Sequence, residues 1–266
     1  MKARHSLFIF CWLAIIVACL ILFTALTGCS SNETSRVEAD SDSLYQVSTY
    51  GALSRGLFDG VVDFATLRQK GDFGLGTLNG LDGEMVALDG EYYQIRTDGK
   101  AYAINDSSLT PFADVTFFDN GVEANPPEGL DYIGLQSFMN GILPSKNIFY
   151  AIKIEGEFSY VKVRSVPAQS KPYPALSEAI KNQTVFEYNN VSGVMVGFWC
   201  PSYTGSVCVP AYHLHFITDD RQAGGHVLDL RLGTVTITRD DTPDLQVQLP
   251  SSEDFNNLNL ESGAGE

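Results

Sequence analysis

The sequence predicts an α+β fold dominated by mixed or antiparallel sheet, in two β-rich halves with few short helices. Three observations carry that reading. Strand-like runs recur along most of the chain. Asp89-Gly90 stands between Met85-Val86-Ala87-Leu88 and Glu91-Tyr92-Tyr93-Gln94-Ile95, a strong two-residue hairpin signal. Only Ile133–Leu143 and Pro174–Asn182 have helical character.

The elements follow from the N-terminus. Residues 1–28 read as a lipoprotein signal peptide. Lys2 and Arg4 form a basic start, Leu7 to Leu26 an apolar run, and Leu26-Thr27-Gly28-Cys29 resembles a lipobox whose cysteine becomes the lipid anchor. The run is also about long enough to span a bilayer, so an uncleaved helix is the alternative. Either way the remainder is expected outside the cytoplasm, as an exported, membrane-anchored lipoprotein on the periplasmic or extracytoplasmic face. Residues 29–44 are mostly polar and read as a flexible tether.

Residues 45–166 form the expected N-terminal β-rich subdomain. Lys100–Asn105 follows a turn at Asp98-Gly99, Phe112–Phe118 is a further run, and Asn120-Gly121 with Asn125–Gly129 breaks the pattern. In the Ile133–Leu143 helix, Ile133, Phe138, Ile142 and Leu143 are assigned to one side. Ile148–Val166 holds two alternating runs around Glu155-Gly156-Glu157, read as a second hairpin. The chain is expected to divide near residues 166–175, giving a C-terminal subdomain over 167–260. Pro174 suits the first position of its short helix, and Val191–Phe198, Ala211–Thr218, Val227–Thr238 and Leu245–Leu249 read as strands. Residues 261–266 form a polar tail.

Charge excludes whole classes of partner. The chain has 17 Lys and Arg against 32 Asp and Glu, a formal net charge of −15. Loss of Lys2 and Arg4 with the leader makes the remainder more acidic still. Such a chain repels nucleic acid and anionic membrane surfaces. Of the five cysteines, Cys11 and Cys19 lie in the leader and Cys29 is the expected lipid acceptor. Cys200 and Cys208 remain. In an oxidising compartment they can close a small loop; two free thiols or a metal role are the alternatives.

The chemistry concentrates at histidine. Of four histidines, His5 lies in the leader, and the others are His213, His215 and His226. Tyr212-His213-Leu214-His215-Phe216 is strand-like, so alternation sends both imidazoles to one face. His226 follows Gly224-Gly225, a flexible pair able to turn the chain back beside the first two. Three neutral imidazoles leave the fourth position of a zinc ion open, as a catalytic site requires. The competing reading is three ordinary strand histidines. A cupin pattern fits poorly, because Asp219 stands where that pattern would need Glu and His226 follows too soon.

Gly76-Thr77-Leu78-Asn79-Gly80-Leu81-Asp82-Gly83-Glu84-Met85 resembles a motif of the α-acetolactate decarboxylase family, of the GTFN-x-LDGEM type. Tyr212–Phe216 with Gly224-Gly225-His226 resembles that family's zinc motif in order and spacing. Val163-Arg164-Ser165-Val166-Pro167 is similar to its arginine-bearing strand, and Lys171–Leu176 to the segment after it. The resemblance covers roughly Tyr45 to Leu260. It implies a zinc ion (Zn2+) on His213, His215 and His226, substrate contact by Arg164, a glutamate near the metal at Glu84, and an active-site threonine at Thr77. It also implies a homodimer and a further catalytic glutamate in the tail, for which Glu266 is the nearest candidate and Glu261 the second. The implied reaction is decarboxylation of (S)-2-acetolactate, a small-molecule substrate, to (R)-acetoin without an organic cofactor. The alternative is a lipid-anchored zinc- or solute-binding protein of the same fold without catalysis.

Overall fold

A computed structural model describes residues 42–119 and 121–260. The expected signal peptide, Cys29 and the tail residues Glu261 and Glu266 lie outside them.

The chain begins with β1 (Ser43–Val47), α1 (Tyr50–Ser54), β2 (Val62–Asp63), α2 (Phe64–Leu67), β3 (Phe73–Thr77), β4 (Glu84–Leu88), β5 (Glu91–Ile95) and β6 (Ala101–Ala103). It continues through β7 (Leu109–Thr110), β8 (Ala113–Thr116), β9 (Val122–Ala124), α3 (Tyr132–Ile142) and β10 (Phe149–Ser165). Then come α4 (Leu176–Ala179), β11 (Thr184–Cys200), β12 (Ala211–Thr218), β13 (Gly224–Thr242), β14 (Asp244–Gln248) and α5 (Glu253–Asn256). The α+β expectation holds, with sheet dominant and the helices short.

Seven strands form one sheet in the order β14-β1-β8-β3-β4-β5-β6. Only the β1–β14 pair is parallel; the other neighbours run antiparallel. The second sheet runs β10-β11-β12-β13-β9, and β10 also pairs with β13. Its four long strands therefore close on themselves.

Alternation along each strand divides the core. Val86 and Leu88 of β4 face the closed sheet and pack with Val194, Val196, Phe198 and Ile217. Met85 and Ala87 turn to the opposite face, against Phe64, Leu67 and Tyr92. Inside the closed sheet, Tyr150, Ile152, Phe158, Leu214 and Phe216 pack with Leu135 and Met139 of α3. Complete burial of one such side chain is worth roughly 1.5–3 kcal/mol.

Several expectations are corrected. Ser43 and Leu44, assigned to the tether, are already buried in β1, because the returning β14 supplies them with partners. The Asp89-Gly90 hairpin forms as expected, but Glu155-Gly156-Glu157 is not a turn. Here β10 runs straight through as one strand, with register shifts against β13. Gly156 has φ +137°, and a Cβ there would lie 2.3 Å from Thr234 O. The signal read as a turn marks a β-bulge.

Helix α3 starts at an Asp131 cap, whose carboxylate accepts from Gly134 N. Its buried face is Leu135 and Met139, and Ile133 is 76% exposed. The division near residues 166–175 falls between β10 and β11, which are neighbours in one sheet. β14 in turn returns to the seven-stranded sheet, so the sheets do not follow that boundary.

Candidate metal centre

The centre lies where the start of β4 meets the closed sheet. On β12, Ile217 faces the seven-stranded sheet while Tyr212, Leu214 and Phe216 face inward. His213 and His215 share the parity of Ile217, so they too face the seven-stranded sheet. Strand pairing completes the set: His215 lies opposite His226 on β13, and His226 lies opposite Arg164 on β10. Directly paired residues on adjacent strands project to one side. On β4, Glu84 shares the face of Val86 and Leu88 and approaches the same place, with Thr77 of β3 beside it in register.

The glycines before His226 serve differently from the expected hinge. They belong to β13, and the chain reverses earlier, between Asp219 and Ala223. Gly225 has φ +147°, and a Cβ there would sit 2.5 Å from Arg164 O. The glycine lets β13 press against β10 while pairing with β12.

The ligand atoms of His213, His215 and His226 all lie within 4.8 Å of one another. His213 Nε2 and His226 Nδ1 are 3.2 Å apart. Two nitrogens sharing a tetrahedral ion at ~2.0–2.1 Å would be separated by roughly 3.3 Å. His215 Nδ1 lies 2.8 Å from Met85 O. The tautomer with hydrogen on Nδ1 donates to that carbonyl and leaves Nε2 with a free lone pair, the usual outer support of a metal-bound imidazole. His215 Nε2 and His213 Nδ1 are buried without hydrogen-bond partners.

Burial and neighbouring charges keep all three rings neutral. For His213, burial, then His215 and Arg164, hold the pKa well below the usual imidazole value. For His226 the causes are burial, Arg164 and the other two histidines. His215 is lowered to about 3 by burial, with Arg164 adding to that and the Met85 carbonyl opposing it. Neutral imidazole is the form that binds metal, so three such rings with converging nitrogens can hold an ion.

The other site residues surround this triad. Glu84 is buried, and its Oε2 lies 3.6 Å from His215 Nε2. Burial raises its pKa to about 7, against the opposing pull of Arg164. A carboxyl so placed exchanges a proton near neutrality. Arg164 Nη1 is buried without a hydrogen-bond partner, whereas Lys162, two residues earlier on β10, pairs with Glu187 at 3.4 Å. Thr77 donates its hydroxyl hydrogen to Gly83 O at 2.7 Å, tying together the connection that delivers Glu84. All six residues line one cavity of about 250 Å3.

Sequence reasoning did not identify the apolar wall opposite the histidines. Leu53, Leu81, Phe112, Val166, Leu176 and Val209 form much of it. The helical spacing near Leu176 was the nearest signal, but the wall gathers from six separate stretches of chain.

Such a centre has room for one small molecule and defines an α+β protein of the enzyme type whose histidine triad could hold a metal ion. The comparisons with known proteins narrow this further: a family profile described as alpha-acetolactate decarboxylase matches residues 44–262, and the chain belongs to that family. An alpha-acetolactate decarboxylase of Methanosarcina mazei is 51% identical over 220 residues, 83% of this chain and 76% of the relative. One from Bacillus licheniformis is 39% identical over 82% of this chain and 87% of its own length. The crystal structure of alpha-acetolactate decarboxylase from Bacillus subtilis strain 168 superimposes with a TM-score of 0.80 at 40% identity, covering 82% of this chain and 94% of that one.

Proposed function

We propose that the protein decarboxylates (S)-2-acetolactate to (R)-acetoin and CO2, with zinc held by His213, His215 and His226. The observation that carries this reading is Arg164, whose buried Nη1 has no hydrogen-bond partner and which lines the same small cavity as the three imidazoles and Glu84. The converging neutral rings, with His215 buttressed by Met85 O, fit a zinc ion. When bound, zinc supplies Lewis acidity toward the electrons released by decarboxylation.

The chain's own residues supply the rest. Arg164 presents its fork to the substrate carboxylate and orients it by charge-assisted hydrogen bonds. The bond between that carboxylate and the carbinol carbon breaks, CO2 departs, and the electron pair moves toward the neighbouring keto group. Glu84, whose buried carboxyl lies 3.6 Å from His215 Nε2 in the same cavity, is placed to deliver a proton to the carbon that lost CO2. Thr77 has already given its hydrogen to Gly83, so it meets substrate only as an acceptor. The apolar wall takes the two methyl groups and excludes water, which would otherwise compete as proton donor.

The tail carboxylates Glu266 and Glu261 are the alternative proton donors. Comparing Glu266→Gln with Glu261→Gln assigns that part, and loss of turnover in only one would identify the acid. No observation favours a binding protein without catalysis.

The deciding experiment is an acetoin and CO2 assay on racemic acetolactate, with and without a chelator, followed by zinc restoration. Zinc-dependent release of both products is expected. Zinc-loaded protein that releases no CO2 would refute the assignment.

A further inference from the structure

Cys200 and Cys208 lie outside the site yet support the wall of its cavity from behind. Cys200 ends β11 and is the register partner of Ala211, the first residue of β12. Cys208 precedes that strand by only three residues. Both are free thiols buried in one core cluster, and the Cys208 side chain is close enough to the Cys200 thiol to push its pKa up. The segment between them is fastened to α1. Tyr50 N donates to Val207 O at 2.9 Å and Gly51 N to Ser206 O at 2.7 Å. Just before the helix, Gln46 Nε2 donates to Val207 O at 2.8 Å. Tyr50 and Leu53 of α1 line the cavity, as does Val209, the residue after Cys208.

The surroundings leave these thiols little other chemistry. Among the described residues, the group of His, Cys, Asp and Glu able to hold a metal is the histidine triad, and neither cysteine belongs to it. Neither is an exposed nucleophile, since both are almost wholly buried. The contact with Cys208, then burial, then Asp114 keep the Cys200 thiol well above its ordinary pKa. Reactive cysteines need the opposite surroundings.

We propose that Cys200 and Cys208 join as an intrachain disulfide when the chain folds in contact with a disulfide oxidant, and that this bond braces the cavity wall. The two thiols give up two protons and two electrons as one S–S bond forms. A small-molecule disulfide such as oxidised glutathione accepts them and leaves as two thiols. Exchange takes place during folding or through local opening of residues 201–210, because the folded core shields both sulfurs. The bond closes a short loop and restrains the segment that holds α1 and Val209 in place. This inference does not rest on the decarboxylase assignment, and its test does not read activity.

The full-length protein is unfolded, refolded in a glutathione redox buffer, alkylated, and digested without reduction for mass spectrometry. The expected product is a cross-linked pair of peptides carrying Cys200 and Cys208, two hydrogens lighter than the thiol forms. Adding reductant should lower Tm by ~5–10 °C. A C200A/C208A variant should melt with the reduced wild type and ignore reductant, and the wild-type peptide map stands even if that variant does not fold. Finding both thiols alkylated, each carrying separate glutathione, or either joined to Cys29 would overturn the pairing. A formed bond whose reduction leaves Tm unchanged would overturn the bracing.

Discussion

Asp114 provides a quantitative test of the core behind the site. It lies on β8, between Gln46 of β1 and Leu75 of β3 in register, and is 1% exposed. Its Oδ1 has no hydrogen-bond partner, and neither does Gln46 Oε1. Two facing acceptors suit a protonated acid, the one form of Asp114 able to offer a hydrogen. Burial accordingly raises its pKa from 3.8 to about 8.

The folded-state value lies above the unfolded one, so the stabilisation is complete below about pH 4 and is lost as pH rises toward 8. Each pH unit in that window costs at most ~1.4 kcal/mol, which bounds the whole effect at roughly 6 kcal/mol. Asp114→Asn keeps the shape and a donor but cannot ionise. Urea unfolding of both proteins at pH 5, 6, 7 and 8 should therefore show the variant gaining on wild type steadily as pH rises. Linkage from the histidines is common to both proteins and cancels in the difference. Parallel stability curves over this range would refute the buried neutral acid.

The remaining predictions concern the site. His213→Ala, His215→Ala and His226→Ala should each remove bound metal, measured by elemental analysis, and abolish acetoin formation. Because burial holds these imidazoles neutral, wild type should retain metal at about pH 5, where an ordinary histidine is mostly protonated; loss of metal at that pH would count against the triad. Arg164→Ala should keep metal but lose ~100-fold or more in turnover, and Glu84→Gln should stay folded and metallated while losing ~100–10,000-fold. Gly225→Ala should cost about 1–3 kcal/mol in unfolding experiments and weaken metal binding, because its new Cβ would meet Arg164 O at 2.5 Å.

Some of this could be read directly from the chain. Alternation through Tyr212–Phe216 was enough to put His213 and His215 on one face, because β12 is regular and buried on both sides. The face of α3 was readable only in part: Phe138, Ile142 and Leu143 pack against the core, but Ile133 is exposed and the fully buried Leu135 and Met139 were not picked out. Ile133 has the right residue type for a core, but which side of a short helix is covered depends on the strands beneath it. Ser43 and Leu44 hid in polar surroundings, since their burial comes from β14, about two hundred residues away. Glu84 and Thr77 needed the family motif: taken alone, a carboxylate after Asp82-Gly83 belongs to a turn edge. What buries it is the approach of β12 to β4, marked by the His215–Met85 contact.

Arg164 shows how a local irregularity decides a functional direction. In the first half of β10, Tyr150, Ile152, Ile154 and Phe158 point into the closed sheet; further along, Val161 and Val163 do. The inward set has changed from even to odd numbers. Strict alternation cannot do that, because side chains on a strand repeat every two residues. The change falls at the register shift between Phe158 and Tyr160, where β10 advances from Leu232 to Arg231 of β13 by two residues against one. One extra residue on β10 is thus absorbed as a bulge. Without it, Val161 and Val163 would turn outward and Arg164 would be driven into the apolar interior with Phe158 and Phe216. With it, the guanidinium faces out beside His226, into the cavity that holds the three imidazoles. The glycine that had suggested a hairpin therefore marks the irregular stretch of strand that aims the arginine, and the long β10–β13 pairing that absorbs the shift is what the sequence pattern alone could not reveal.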